Sequence, residues 1–204
     1  MTSSAIGQAR DLLTDLVPAG DGPRAIRHPL GFYCIPVVRD GPHGVCVHVW
    51  DGECDSSGAP PHSHSWELTS HVLHGTVDNR RIAVTDDPVA PTNRVYAVDS
   101  AGDVDRLRAT TRLVRWAETE QTTVTAGGVY RLAAGQFHTT VVPAGVQAAS
   151  LVVARTMTDA RDLVVGTVAD SSHEMVRHRC DADETAALAR LVLGWLGSTA
   201  RSAR

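Results

Sequence analysis

Four of the ten histidines of this 204-residue chain fall within thirteen residues, from His62 to His74. The pair His62 and His64 stands in the run Pro61-His62-Ser63-His64. Residues two apart on a β-strand point to the same side, so these two imidazoles are expected to enter one cavity. Neutral imidazole is a ligand for Zn(II), Fe(II) and Ni(II), so the pair predicts part of a metal site.

A metal site needs at least one further ligand, and His138 is the strongest candidate. It follows Gly135 by three residues and precedes the β-rich run 139–142. Glu67, three residues after His64, has two alternative roles. It is either a fourth ligand or, if the site contains three histidines only, a candidate general base.

Two further residues are candidates for a catalytic or substrate-binding role. Arg81 follows the histidine segment near a predicted strand, and an inward-facing guanidinium there would hold a substrate carboxylate through two parallel hydrogen bonds. Tyr130 precedes His138 and is expected to line the pocket. The structural alternatives are a solvated strand edge for Arg81 and simple packing for Tyr130.

Together, the two histidine segments resemble the two motifs of the cupin superfamily, G-x5-H-x-H-x3,4-E-x6-G and G-x5-P-x-G-x2-H. The matching residues are His62, His64 and Gly75 in the first motif and Gly127, Gly135 and His138 in the second. Ser56 stands where the first motif has its opening glycine, Ala133 replaces the proline, and Glu67 precedes the expected carboxylate position. The resemblance covers about residues 45–155.

The resemblance implies an all-β fold, the cupin double-stranded β-helix or jelly-roll barrel, with one divalent metal inside it. The first functional hypothesis is a mononuclear non-haem iron dioxygenase acting on a small polar substrate, with Fe(II) as the metal and Zn(II) as the next choice. A site without a carboxylate ligand would be similar to the thiol dioxygenases among cupins.

Two alternatives stay open at this stage. One is a redox-inert zinc cupin that catalyses an isomerisation, lyase or rearrangement reaction, for example one that forms a hydrazine. The other is a non-catalytic cupin that binds a small ligand. The resemblance also allows a homodimer, although no residue decides this.

The elements that must position these residues are mostly strand-like. A single domain over residues 1–204 is expected, with a helix at 4–17 that stops at 18–20, a barrel over about 31–170, and a helix at 183–196 that ends at Gly197. Asp181 or Asp183 is the predicted N-cap of the second helix. Strand-like runs occur at 33–38, 45–50, 68–76, 81–84, 93–98, 106–117, 122–125, 128–132, 139–142 and 148–154.

The composition excludes several functions. All 19 basic residues are arginine, so the chain lacks the lysine needed for a Schiff base or a P-loop. A formal net charge of -4 does not favour nucleic acid binding, and no apolar run is long enough to predict a membrane span. The first residues do not form a signal peptide, so a cytoplasmic location is expected. The four cysteines lack CxxC spacing and are expected to be free, inert thiols.

Overall fold

The computed structural model describes the backbone of residues 2–17 and 22–202 and the side chains of residues 5–17 and 22–198. Two helices, α1 (Thr2–Leu16) and α2 (Ala182–Ser202), flank a series of strands. The strands are β1 (Ile26–His28), β2 (Phe32–Asp40), β3 (His43–Asp51), β4 (His62–Ser63), β5 (Trp66–His74), β6 (Thr76–Asp86), β7 (Asn93–Ala101), β8 (Val104–Thr125), β9 (Val129–Leu132), β10 (His138–Val141), β11 (Gln147–Thr156), β12 (Leu163–Thr167), β13 (His173–Val176) and β14 (His178–Arg179).

The strands form two seven-stranded antiparallel sheets. The first sheet has the order β14-β1-β2-β3-β11-β5-β9, and the second has the order β13-β8-β6-β10-β4-β12-β7, with β7 also paired to β8. Neighbours in each sheet are mostly distant in the chain, as in a jelly roll. The predicted fold class, an all-β cupin-like jelly roll with a helix at each end, is confirmed.

The outer face of the first sheet is covered by both helices. Ile35, Val47 and Leu151 on this face are completely buried and pack in one cluster with Leu13 of α1 and Val192 of α2. Because side chains alternate along a strand, the intervening residues of β2, β3 and β11 point toward the second sheet. The helices therefore cover the outer face of the first sheet, and its opposite face lines the interior of the barrel.

A reciprocal pair of hydrogen bonds begins α2. The Glu184 N–H donates to Asp181 Oδ1 and the Asp181 N–H donates to Glu184 Oε2, both at 2.8 Å, which is a capping box. Asp181 is thus the N-cap. The predicted end at Gly197 is wrong, because the helix continues to Ser202; a glycine lowers helix stability by about 1 kcal/mol but does not by itself end a helix.

The strand predictions differ from the structure mainly in length. A single strand, β8, spans both predicted runs 106–117 and 122–125. Four short strands, β1, β12, β13 and β14, were not predicted, because their sequences show no clear period of two. The predicted stop of the first helix at 18–20 lies outside the described residues. As far as the described residues go, neither helix is both long enough and apolar enough to cross a membrane.

The turn between β5 and β6 depends on Gly75. Its φ is +69°, and a Cβ at this position would lie 2.1 Å from the carbonyl oxygen of Gln147 on β11. Gly102, in the turn between β7 and β8, has a similar φ of +59° but open space around the Cβ position. Both glycines have a positive φ, but only Gly75 lies against the backbone of another strand.

We expect Gly75→Ala to lower the free energy of unfolding by about 3 kcal/mol or more, since strain at positive φ adds to a backbone collision. The matched control Gly102→Ala carries only the positive-φ strain and should cost about 1–2 kcal/mol. Urea unfolding of both variants measures the difference. Equal losses in the two variants would contradict the role assigned to the close contact with β11.

Candidate metal centre

Main-chain pairing brings the two histidine segments together. The two-residue strand β4 lies between β10 and β12 in the second sheet, and His62 pairs directly with His138 across β4 and β10. A second link follows at the end of β4, where the Gly135 N–H donates to the His64 carbonyl oxygen at 2.8 Å. The sheet itself therefore sets the relative position of the three imidazoles.

The three imidazoles converge on one point. Each of His62, His64 and His138 offers a ring nitrogen, and these three atoms all lie within 4.8 Å of one another. The distance between His64 Nε2 and His138 Nε2 is 3.2 Å. Two nitrogens bound to one tetrahedral zinc ion are about 3.3 Å apart, given Zn–N distances of about 2.0 Å. The cluster can hold a metal ion, as the sequence predicted.

Hydrogen bonds on the far side of two rings select the nitrogen that faces the cluster. The Nδ1–H of His62 donates to the Pro60 carbonyl oxygen at 3.0 Å, and the Nδ1–H of His138 donates to Asn79 Oδ1 at 3.2 Å. Both bonds leave Nε2 unprotonated and directed to the shared point. Partners of this kind orient metal-binding histidines and raise their basicity.

Asn79 is a functional residue that sequence reasoning missed. It is only 3% exposed on β6, two residues after the buried Val77. The available signal was a polar residue at a strand position expected to be buried. This signal indicates a site only when His138 is known to lie on the neighbouring strand β10.

Burial keeps the three imidazoles uncharged. It lowers the pKa of His62, and it lowers the pKa of His64 and His138 well below the ordinary histidine value. Repulsion between the rings when protonated lowers the pKa of His64 and His138 further. Since neutral imidazole is the form that binds metals, the site is ready for a cation at neutral pH.

The ring of Trp66 supports His64 from one side. The two rings are stacked with centroids 4.1 Å apart and planes inclined by 28°. This stacking limits the rotation of the His64 ring.

The structure does not bring Glu67 to the three histidines. Its neighbour Leu68 points into the barrel, so Glu67 faces the other side of β5, where Arg155 Nε donates to its carboxylate at 2.9 Å. Glu67 also lines an open cleft of about 600 Å³ with residues 133–135 and 159–161. The alternative of a site with three histidines only therefore fits the structure, whereas a fourth ligand from Glu67 does not.

The two other candidate residues lie in different settings. Tyr130 on β9 packs against Cys46, Leu68 and Leu132 inside the barrel, and burial raises the pKa of its phenol. Arg81 is 44% exposed and its Nε lies 3.5 Å from a carboxylate oxygen of Glu120 on β8. Tyr130 faces the interior, whereas Arg81 is partly exposed to solvent and pairs with Glu120 across β6 and β8.

Comparison with known proteins finds similar chains among the solved structures. No family model matches the chain, and no curated protein matches it. The chain is similar to the polyketide cyclase RemF from Streptomyces resistomycificus, with 17% sequence identity, a TM-score of 0.42, and coverage of 75% of this chain and 84% of that chain. The features that the structure itself shows are an all-β jelly roll and a cluster of three histidines.

Replacement of His62, His64 or His138 by alanine is expected to weaken binding of a divalent cation by at least about 100-fold, because loss of a ligand exceeds the effect of losing an outer partner. Glu67→Gln is the matched control and should retain the affinity of the parent. Competition with a chromophoric zinc chelator measures the four affinities. Unchanged affinity in all three histidine variants would reject the assignment.

Asn79→Leu is expected to weaken cation binding by about 10–100-fold. Without the Asn79 acceptor, His138 is free to carry its proton on Nε2, the nitrogen that must be unprotonated to bind the ion. Asn79→Asp keeps an acceptor oxygen at the same place and should retain tight binding. The same chelator competition measures both variants, and equal affinities in the two would show that the hydrogen bond is not needed.

Proposed function

We propose that this chain is a metal-dependent enzyme of the cupin type that acts on a small polar substrate at His62, His64 and His138. The reaction we put first is oxygenation of the substrate by an iron(II) dioxygenase. The observation that carries the proposal is the convergence of three neutral imidazoles, with no carboxylate in the cluster among the described residues. Three protein ligands leave positions open for other molecules.

The charge of the site restricts the substrate. Neutral ligands leave the double positive charge of a bound cation uncompensated, and an uncompensated buried charge is costly. Two of the ligands, His62 and His138, are only 9% and 4% exposed. A molecule that contributes negative charge would therefore be favoured, such as a carboxylate, a thiolate or an enolate. The substrate class that we propose is a small anion of this kind.

The residues around the cluster have distinct parts in this proposal. A bound iron(II) would supply oxygen activation, and a bound zinc(II) would supply Lewis acidity. Asn79 and Pro60 hold two rings in the tautomer that can bind a metal. Trp66 stacks on the third ring, that of His64, and limits its rotation. Tyr130, whose phenol keeps its proton because burial raises its pKa, is the candidate proton donor.

One observation favours a second function, a zinc enzyme that catalyses a reaction without redox change. Glu67 lies away from the cluster, so the described residues offer three histidines and no carboxylate as ligands there. Three histidines form the zinc site of carbonic anhydrase, whereas many iron(II) oxygenases use two histidines and a carboxylate. Isomerisation, lyase and rearrangement reactions belong to this second candidate.

Metal identity decides between the two functions. Protein purified without added metal is analysed for metal content, then stripped and reloaded with Fe(II) or Zn(II) under argon. Oxygen uptake is recorded with a panel of small carboxylates, thiols and enolisable diketones, and consumption of each compound is followed by mass spectrometry. The His64→Ala variant, loaded in the same way, is the control for adventitious metal.

We expect iron in the purified protein and oxygen uptake that depends on both iron and one class of anion. Zinc in the purified protein, with turnover that needs no oxygen, would overturn the dioxygenase and support the second function. Saturable binding of a panel compound without turnover under either metal would identify a non-catalytic binding protein. A protein that takes up neither metal would reject both functions.

A further inference from the structure

A second group of metal-binding side chains lies in the other sheet. Cys34 on β2 and Cys46 and His48 on β3 each offer one donor atom, and the three atoms lie within 4.8 Å of one another. All three residues are buried or partly buried, and both cysteines are free thiols, as the sequence predicted. None of these three residues belongs to the histidine cluster described above.

Strand register brings these side chains together. Cys34 pairs directly with His48 across β2 and β3, and Cys46 lies two residues before His48 on the same side of β3. The intervening residues Ile35 and Val47 pack against the helices. Cys34, Cys46 and His48 therefore point into the barrel, on the face that looks toward the second sheet.

The spacing of the donors suits a tetrahedral ion. Cys46 Sγ and His48 Nε2 are 3.4 Å apart. A sulfur and a nitrogen on one tetrahedral zinc ion are about 3.5 Å apart, given a Zn–S distance of about 2.3 Å and a Zn–N distance of about 2.0 Å. A small outward shift of one side chain would accommodate the ion.

We propose that Cys34, Cys46 and His48 bind a second divalent cation, of the thiophilic class to which zinc(II) belongs. Thiolate sulfur and imidazole nitrogen are the donors that such ions prefer. Two thiolates and one neutral imidazole balance the charge of the ion, so a buried site of this kind carries no net charge. Binding releases to the solvent the protons that the two thiols still carry.

The two thiols differ in acidity. A hydrogen bond from Cys46 holds the pKa of the Cys34 thiol well below its ordinary value, although burial acts in the opposite direction. The same contact and burial hold the pKa of the Cys46 thiol well above its ordinary value. Cys46 therefore keeps its proton until a bound cation displaces it.

A buried hydroxyl with no partner within the described residues lies beside these three donors, where a fourth ligand of the ion would be. Ser150 on β11 pairs directly with His48 and shares its inward face. Its side chain is completely buried, yet Ser150 Oγ has no hydrogen-bond partner in the part of the chain that the structure describes. A buried hydroxyl without a partner is costly, and a water or anion on the fourth position of the ion would satisfy it.

The two sites share the interior of the barrel but differ in chemistry. Only the second site contains sulfur. A spectroscopic probe that responds to thiolate ligands therefore separates the two sites within one protein.

Cobalt(II) is such a probe, because thiolate ligands give it an intense near-ultraviolet charge-transfer band that imidazole ligands do not. Metal-free protein, kept reduced with a phosphine, is titrated with Co(II) and followed by absorption. We expect the band to appear and saturate. The variant that replaces His62, His64 and His138 together by alanine should keep the band while binding one ion fewer.

Cys34→Ala and Cys46→Ala should each lower the band at least twofold and weaken binding at this site, and His48→Gln should weaken binding while the band shifts. Cys54→Ala and Cys180→Ala, which remove buried cysteines elsewhere, are the matched controls and should leave the band unchanged. Circular dichroism checks that each variant is folded.

Absence of a charge-transfer band in the folded, fully reduced parent would overturn the proposal, whatever the fate of the histidine cluster. A band that persists in the folded Cys34→Ala/Cys46→Ala double variant would overturn it as well. Loss of the first site in the triple histidine variant does not affect this result, so the two proposals succeed or fail separately.

Discussion

The direct pairing of His62 with His138 is the constraint on which the rest of the site depends. It places the histidines of two separate segments side by side on one face of the second sheet, and the Gly135–His64 hydrogen bond maintains the same alignment one step further along. A strand of two residues is enough for this because β10 and β12 hold it from both sides. Backbone pairing thus sets where the candidate ligands lie, and contacts such as those with Asn79 and Trp66 set the orientation of their rings.

The interior of the barrel has a chemical asymmetry between its two walls. The second sheet contributes neutral nitrogen donors whose pKa values are lowered by burial, and the first sheet contributes sulfur, a histidine and buried serine hydroxyls. The helices cover the outside of the first sheet with aliphatic side chains. Because the main apolar core lies between the helices and the outer face of that sheet, its inner face can accommodate polar residues.

Much of this arrangement could be predicted from the sequence, and the failures have physical reasons. The spacing of His62, His64 and His138 indicated the cluster, because two-residue periodicity and a turn before the third histidine are local features. The face of the strand on which Glu67 lies could not be predicted from local features, since a shift of one residue in strand register moves a side chain to the opposite face. Asn79 and the group of Cys34, Cys46 and His48 depend on which strands are neighbours, and no pattern within a single strand contains that information.

The histidines that face each other across the first site are separated by 74 residues of chain. An ion held between them would close a loop of that length, as a crosslink does, and would restrict the conformations open to the unfolded polypeptide. Unlike a covalent bridge, this closure forms only after the intervening strands have been synthesised and paired, and a chelator can undo it. The cation would then act as a reversible crosslink within the barrel. The resistance of the chain to proteolysis would therefore depend on the concentration of metal around it.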